Sequence, residues 1–219
     1  DRFNEKADRI VRVIFVGSVQ GGKMKEAHVM PPVAQTLKAD FPEVEEATRL
    51  RNAGSPIVSY HDKTLKAEGF AYVDSNFFNV FTLPMIAGNQ ATALTLPQSV
   101  VITKETAKKY FGDADPLGKV IDIKSWNKSF TVTGIINDVP DASHFHFSFF
   151  ASMSGLQEAR ENSWMTSEFF TYLVLPVGYA HKKLQAKLPG VISKYLGPHL
   201  QQGMGMTLHA FQQKANELR

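Results

Sequence analysis

The apolar positions of the chain switch between two periods, and the switches mark its elements. Residues 10–19, IVRVIFVGSV, are dense in Val and Ile and predict a strand. A Gly-rich polar loop follows at 20–25. Pro31 and Pro32 open a helix, since proline is tolerated in the first turn. Val33, Leu37 and Phe41 recur at four-residue spacing as one buried face, and Pro42 stops the helix. Residues 44–50 lead into a second strand, so the opening order is β-α-β. The middle is strand-rich. Residues 57–60 and 65–73 predict strands joined by the polar turn His61-Asp62-Lys63, and SNFFNVF at 75–81 predicts a short helix with Phe77, Phe78 and Phe81 inward. A short strand at 100–102 runs into a helix capped by Thr103, favoured at its positive end by Glu105 and ended by Gly112. Ala107, Tyr110 and Phe111 form its buried face. Residues 120–123 and 130–136 then alternate as a hairpin around Trp126-Asn127-Lys128.

The last third returns to the opening pattern. Residues 169–175 predict a strand. Leu184, Leu188, Val191, Ile192, Tyr195 and Leu196 make a long helical stripe, kinked or split at Pro189 and ended by Gly197-Pro198. Residues 204–211 predict a final strand. A β-α-β unit at each end predicts an α/β (α+β) fold. One split subdomain covers about residues 1–55 plus 145–219, and a strand-rich subdomain of about 56–144 is inserted into it.

Composition narrows the function classes. The 219 residues suffice for a sizeable core. The formal charge is +3, from 24 Lys and Arg against 21 Asp and Glu. The pI near 9.0 comes without a dense basic cluster, so nucleic acid is not an expected partner. Lys104, Lys108 and Lys109 surround Glu105 and read as a solvated helix face. With no cysteine, disulfides, thiol chemistry and Cys-ligated zinc are excluded. No run approaches the ~18 apolar residues of a membrane span. No signal peptide opens the chain, and it starts at Asp1 without an initiator Met, as an excised soluble domain would.

The sharpest enzyme-like pattern is GSVQGGKM at 17–24, with the G-x-x-x-x-G-K spacing of a phosphate-binding loop. A hydroxyl for Mg²⁺ should come next, but Met24 offers a thioether that cannot serve a hard cation. The helix whose N-terminus should face the phosphates starts only near Pro31. The nearest strand ending in a metal-binding Asp is 70–73 before Asp74. The segment therefore reads as a Gly-rich strand exit. His144 and His146 in SHFHFSFF lie two apart, on one face of a strand, with Asp138 and Asp141 nearby in sequence. A third ligand at a defined spacing is missing. The reading is Phe145, Phe147 and Phe149 inward and His144, His146 and Ser148 outward. There is no G-x-S-x-G. Asp113 and Asp115 sit in the turn GDADPLG, where Asp, Pro and Gly serve the backbone. The 16 Phe fall mostly at apolar periodic positions and read as core. No catalytic, cofactor-binding or metal residue is assigned, no cofactor is expected, and the residues name no partner-binding site.

Four segments carry a resemblance. VDSNFFNVF at 73–81 followed by LPMIAGN resembles the Asp-x-x-Phe-Phe-x-x-Phe segment of the MacB-like periplasmic core domain. QSVVITKETAKKYFGDADPLGKVI at 98–121 is similar to that family's strand, helix, Phe-Gly and Asp-Pro-x-Gly-Lys run. FTVTGIINDVPDASHFHFSFFASM at 130–153 resembles its V-x-G-V-x-x-D-x-P-x-x-S-H-x-x-F segment, and DRFNEKADRIVRV at 1–13 the stretch after the first membrane helix of FtsX-type permeases. These run in the family's order over most of 1–175. From Leu184 on, the likeness reduces to a helix and a strand, with Leu208-His209 echoing the closing strand.

The resemblance implies the periplasmic domain of an MacB/FtsX-type ABC-transporter permease, with a porter-like split subdomain. It implies flanking transmembrane helices of its own permease, a separate cytoplasmic ABC ATPase subunit or domain, and the periplasmic face of the bacterial inner membrane. A second permease copy and a periplasmic or outer-membrane partner are further implied partners. The implied role is coupling of ATP-driven helix motion to an external substrate or partner, in efflux or mechanotransmission. No residue of the family motifs is catalytic. The residues alone also leave open a stand-alone periplasmic solute- or peptide-binding domain.

Overall fold

The computed structural model describes residues 2–19, 22–205 and 207. In chain order the elements are β1 (Ile10–Val13), β2 (Phe15–Val19), β3 (Gly22–Glu26), α1 (Val33–Asp40), β4 (Glu46–Asn52), β5 (Ile57–Tyr60), β6 (Lys63–Lys66), β7 (Phe70–Val73), α2 (Phe77–Val80), β8 (Met85–Gly88), β9 (Ser99–Thr103), α3 (Lys104–Phe111), β10 (Val120–Ile123), β11 (Lys128–Ile136), β12 (Phe149–Ser152), β13 (Phe170–Val174), α4 (His181–Gln185), α5 (Leu188–Val191) and α6 (Gly197–Met204). The described residues cluster as two compact units. One comprises residues 2–8 and 48–160, the other the described residues of 9–47 and 161–207. The divisions expected from the sequence lie near 55 and 144. The structure's fall at 47/48 and 160/161 because the second half of β4 pairs with β7, Leu50 opposite Val73, and β12 runs parallel to β7, Phe149 opposite Phe70.

The strand-rich unit is a mixed sheet in the order β4-β7-β12-β9-β11-β10-β5-β6, with β8 also on β11. β7 and β12 are parallel, as are β9 and β11; the remaining pairs are antiparallel. The predicted strand at 65–73 is two strands, because Gly69 turns the chain at φ +87°. Thr103 caps α3 as its hydroxyl accepts from the Thr106 N–H, and Gly112 ends it at φ 62°. Phenylalanine fills the core. Phe70, Phe77, Phe81, Phe130, Phe149 and Phe150 are fully buried, with ring centroids 4.8 Å apart for Phe77 and Phe81 and 5.3 Å for Phe70 and Phe130. Each such ring stabilises by about 1.5–3 kcal/mol on burial.

The other unit pairs β1 with β13, Ile10 opposite Val174, and packs α1 and the C-terminal helices around Leu37, Trp164, Leu173 and Leu184. Three features of this unit differ from what the sequence pattern predicts. Residues 10–19 are two strands: β1 joins β13, while β2 leaves at Ile14 to pair with β3. Gly197-Pro198 does not stop a helix. Gly197 is helical (φ −51°, ψ −53°) and Pro198 sits in the first turn of α6, a position that proline tolerates. Met204 accordingly ends a helix instead of starting a strand. The rest of the expected strand at 204–211, including the Leu208-His209 echo, lies outside the described residues apart from Gly205 and Thr207. The stripe does break near Pro189, between α4 and α5, and a π-helical turn at Ile192–Leu196 joins α5 to α6.

Candidate functional site

The enzyme-like segment folds as a hairpin. β2 and β3 pair antiparallel, with Gly17 opposite Met24, Ser18 opposite Lys23 and Val19 opposite Gly22. A phosphate cradle needs the loop to feed a helix N-terminus. Here the chain returns as a strand, and α1 starts only at Val33. The expected loop at 20–25 is thus mostly strand, with Gln20 and Gly21 outside the described residues.

Residues 143–148 are not a strand, but burial alternates from His144 to Phe147: His144 and His146 are exposed, Phe145 is buried, and Phe147 is half-buried. Ser148 departs from the outward expectation. It is buried because its hydroxyl and its N–H both donate to the Gly69 carbonyl, at 3.3 and 3.0 Å. The His144 ring packs on Phe145 and Phe81, 4.9 and 6.1 Å between centroids. Among the described residues no group of three or more His, Cys, Asp or Glu is placed to hold a metal ion. Asp138 instead accepts the Glu105 N–H at 2.9 Å, an anion at the positive end of α3. Asp115 accepts the Leu117 N–H at 3.0 Å within its own turn. Tyr72, Tyr110 and Tyr172 are each pushed up to about 12, first by burial, so all three stay protonated at neutral pH.

Two polar clusters that no sequence pattern revealed stand at the places where the chain passes between units. The first fastens the lead-in. Asn4, 5% exposed, accepts the Thr82 N–H on its Oδ1 (2.9 Å), and the Thr82 hydroxyl accepts the Glu5 N–H in return (3.0 Å). Lys6 Nζ donates to the Asn79 carbonyl at 2.6 Å. Residues 4–6 are thereby bolted to the end of α2, just before the chain crosses at 8/9. The second cluster centres on Arg49, 7% exposed. Its Nε and Nη2 donate to the two Asp74 oxygens at 3.0 and 2.9 Å, and its Nη1 to the Ala159 carbonyl at 2.9 Å. Beside it Arg51 pairs with Glu158 at 2.8 Å. One guanidinium thus joins the residues just after the 47/48 crossing to those just before 160/161. It also gives the Asp of the Asp-x-x-Phe-Phe motif its role. The faint sequence signal was a pair of arginines inside an otherwise strand-like run. Asn4 left none.

The described helices include none long and apolar enough to cross a membrane. A comparison with curated proteins yields no match. Among solved structures, a domain described as that of a permease protein from Porphyromonas gingivalis is similar at 24% identity and a TM-score of 0.80, covering 89% of this chain and 84% of that one. The periplasmic region of MacB from Actinobacillus actinomycetemcomitans superposes at a TM-score of 0.57 and 16% identity, covering 86% and 83%. The extracellular domain of the noncanonic ABC-type transporter YknZ from Gram-positive bacteria does so at 0.57 and 16%, covering 92% and 97%. These likenesses establish the fold. The family model described as the MacB-like periplasmic core domain matches residues 1–190, and the chain therefore belongs to that family, the periplasmic domain of MacB/FtsX-like ABC-transporter permeases.

Proposed function

We propose that this domain couples ATP-driven motion of its permease's membrane helices to an external substrate or partner protein. ATP hydrolysis belongs, in this reading, to a separate cytoplasmic ABC ATPase subunit or domain. The domain works on the periplasmic face of the bacterial inner membrane, in efflux or mechanotransmission. The observation that supports the reading is the lead-in clamp. A pull on residues 2–8 reaches the Phe-rich core directly, through Asn4–Thr82 and Lys6–Asn79, and needs no flexible tether. Close-packed cores move as bodies and pass displacement on.

The test uses the full permease with its ATPase in lipid nanodiscs. Hydrogen exchange at α2 and residues 79–90 should change between the nucleotide-free and ATP-trapped states, and Asn4→Ala combined with Lys6→Ala should diminish that change while ATP hydrolysis continues. Exchange that is the same in both nucleotide states of the unmutated transporter counts against the reading.

A further inference from the structure

We propose that β6 is a docking edge for an extended, acidic segment of a partner protein. The inference deepens the coupling reading, and rests on it, by naming the kind of partner the domain takes. β6 ends the strand order of its unit and pairs with β5 alone. The two-residue turn at His61-Asp62 makes Tyr60 and Lys63 a hydrogen-bonded pair, and the Ala67 N–H donates to the Pro56 carbonyl at 2.8 Å with the same parity. Leu65 therefore bonds Val58, and the peptide groups of Thr64 and Lys66 point away from β5. Among the described residues nothing bonds them. An added strand can take all four groups.

Side chains give that edge footholds on both faces. All four residues of β6 are exposed. Leu65 is 43% exposed and Ile57 49%. The register sets Leu65 with Val58 on one face and Lys66 with Ile57 on the other. On the Leu65 side α3 is fastened alongside: Lys63 Nζ donates to the Lys109 carbonyl at 3.1 Å, and Tyr110 Oη to the Leu65 carbonyl at 3.2 Å. The lysines of α3, an isolated helix face in the sequence, thus join those of β6. Lys109 is held by Glu68 and Glu105. Lys63, Lys66 and Lys108 have no carboxylate partner among the described residues. A cavity of about 160 Å³ opens between the two elements, lined by Lys66, Thr106, Lys109, Tyr110 and Ser148. It accommodates one side chain and falls short of the roughly 300 Å³ of a small-molecule pocket.

The charges choose the occupant. A second copy docking β6 to β6 would crowd Lys63 and Lys66 of both strands along one seam, and charged edges of this kind are how sheets avoid self-association. An acidic strand meets complementary charge. A lipid headgroup or a phosphate backbone matches the charge but cannot continue the ladder.

The probe is the blocked hexapeptide Glu-Val-Glu-Val-Glu-Val, titrated into the chain with amide shifts followed by NMR. Binding at about 1 mM or tighter is expected, with the largest shifts at Thr64 and Lys66. Lys63→Glu with Lys66→Glu should weaken it by about tenfold or more, and added salt should weaken it too. Thr64→Pro removes an outward N–H and leaves the β5 ladder intact, so it should weaken binding comparably. If that variant loses amide dispersion, the lysine pair decides. The proposal is overturned by no binding at about 1 mM, by shifts centred elsewhere, by indifference to the lysine pair, or by equal binding of the Lys-Val hexapeptide. Displacement of the peptide by phosphatidylglycerol vesicles or oligo-dT at matched charge overturns it as well. None of these outcomes touches the nucleotide-dependent exchange that tests coupling.

Discussion

Arg49 and Asp74 form a two-pronged ion pair inside the strand-rich unit, with Arg49 Nη2 2.9 Å from Asp74 Oδ1 and side chains only 8% and 15% exposed. The same guanidinium holds the Ala159 carbonyl, and the Asp74 Oδ2 also accepts the Arg49 N–H at 2.7 Å. Desolvation makes the pair a weak source of net stability, but breaking it leaves a buried charge alone. Asp74→Ala should therefore destabilise the unit by about 3 kcal/mol or more. Urea unfolding followed by far-UV circular dichroism measures this. Loss of less than about 1 kcal/mol would show the guanidinium finding water instead.

The second prediction concerns acid. Asp40 lies below its ordinary value of 3.8, chiefly through its hydrogen bonds from Lys194 and then Tyr195; Glu43 lies below 4.5, chiefly through Lys187. Both carboxylates grip the C-terminal helical segment. A lowered folded pKa means the unfolded segment takes up protons first as pH falls. The stabilisation is thus complete above the ordinary values and is lost as pH drops through the folded ones. Trp164 reports it, stacked on Tyr195 at 5.1 Å. In a Trp126→Phe background, Trp164 emission should shift below about pH 4. Asp40→Asn with Glu43→Gln should show the loosened signal already at neutral pH.

Two glycines should respond oppositely to alanine. Gly88 has φ +93°, and a Cβ there would lie 2.5 Å from the Thr133 carbonyl oxygen. Gly88→Ala should cost about 2–3 kcal/mol and lower the melting midpoint by about 5 °C or more. Gly190 lies in α5 with nothing within 4 Å of its Cβ position. Gly190→Ala should raise stability by about 0.5–1 kcal/mol. Calorimetry of the two variants side by side decides both.

The lead-in clamp is separable from the fold. Asn4→Ala leaves the Thr82 N–H without its acceptor, at a cost of about 1 kcal/mol. The chain should stay folded while amides of residues 4–8 exchange faster. Unchanged exchange there would show that Lys6 alone holds the segment.

Local chemistry was legible in the sequence. The cap at Thr103, the stop at Gly112 and the inward Phe77, Phe78 and Phe81 each depend on neighbours within one or two turns. What escaped depends on distant partners. The two halves of 10–19 share one β-branched composition, so only the pairing of one with β13 and the other with β3 shows that they part at Ile14. Gly197-Pro198 reads equally as an ending and a beginning, and the π-helical turn before it settled which. Arg49 and Asp74 lie 25 positions apart, and Asn4 and Thr82 78 apart. Lys63 and Lys109, 46 apart, are joined only by the sheet edge. The family motifs carried the fold because their turns are local, while the clamps beside them left no periodic trace.

The coupling claim is tested most directly by distance. These 219 residues contain no cysteine, so, once any cysteines elsewhere in the full permease are replaced, single thiols can be placed at exposed Asp113 in the strand-rich unit and at a membrane helix. Pulsed electron–electron resonance between spin labels there, with the ATPase present in nanodiscs, compares the nucleotide-free and ATP-trapped states. Coupling predicts a distance distribution that shifts with ATP and shifts less when Asn4→Ala and Lys6→Ala are combined. One unchanging distribution in the unmutated transporter, with ATP hydrolysis intact, would contradict it.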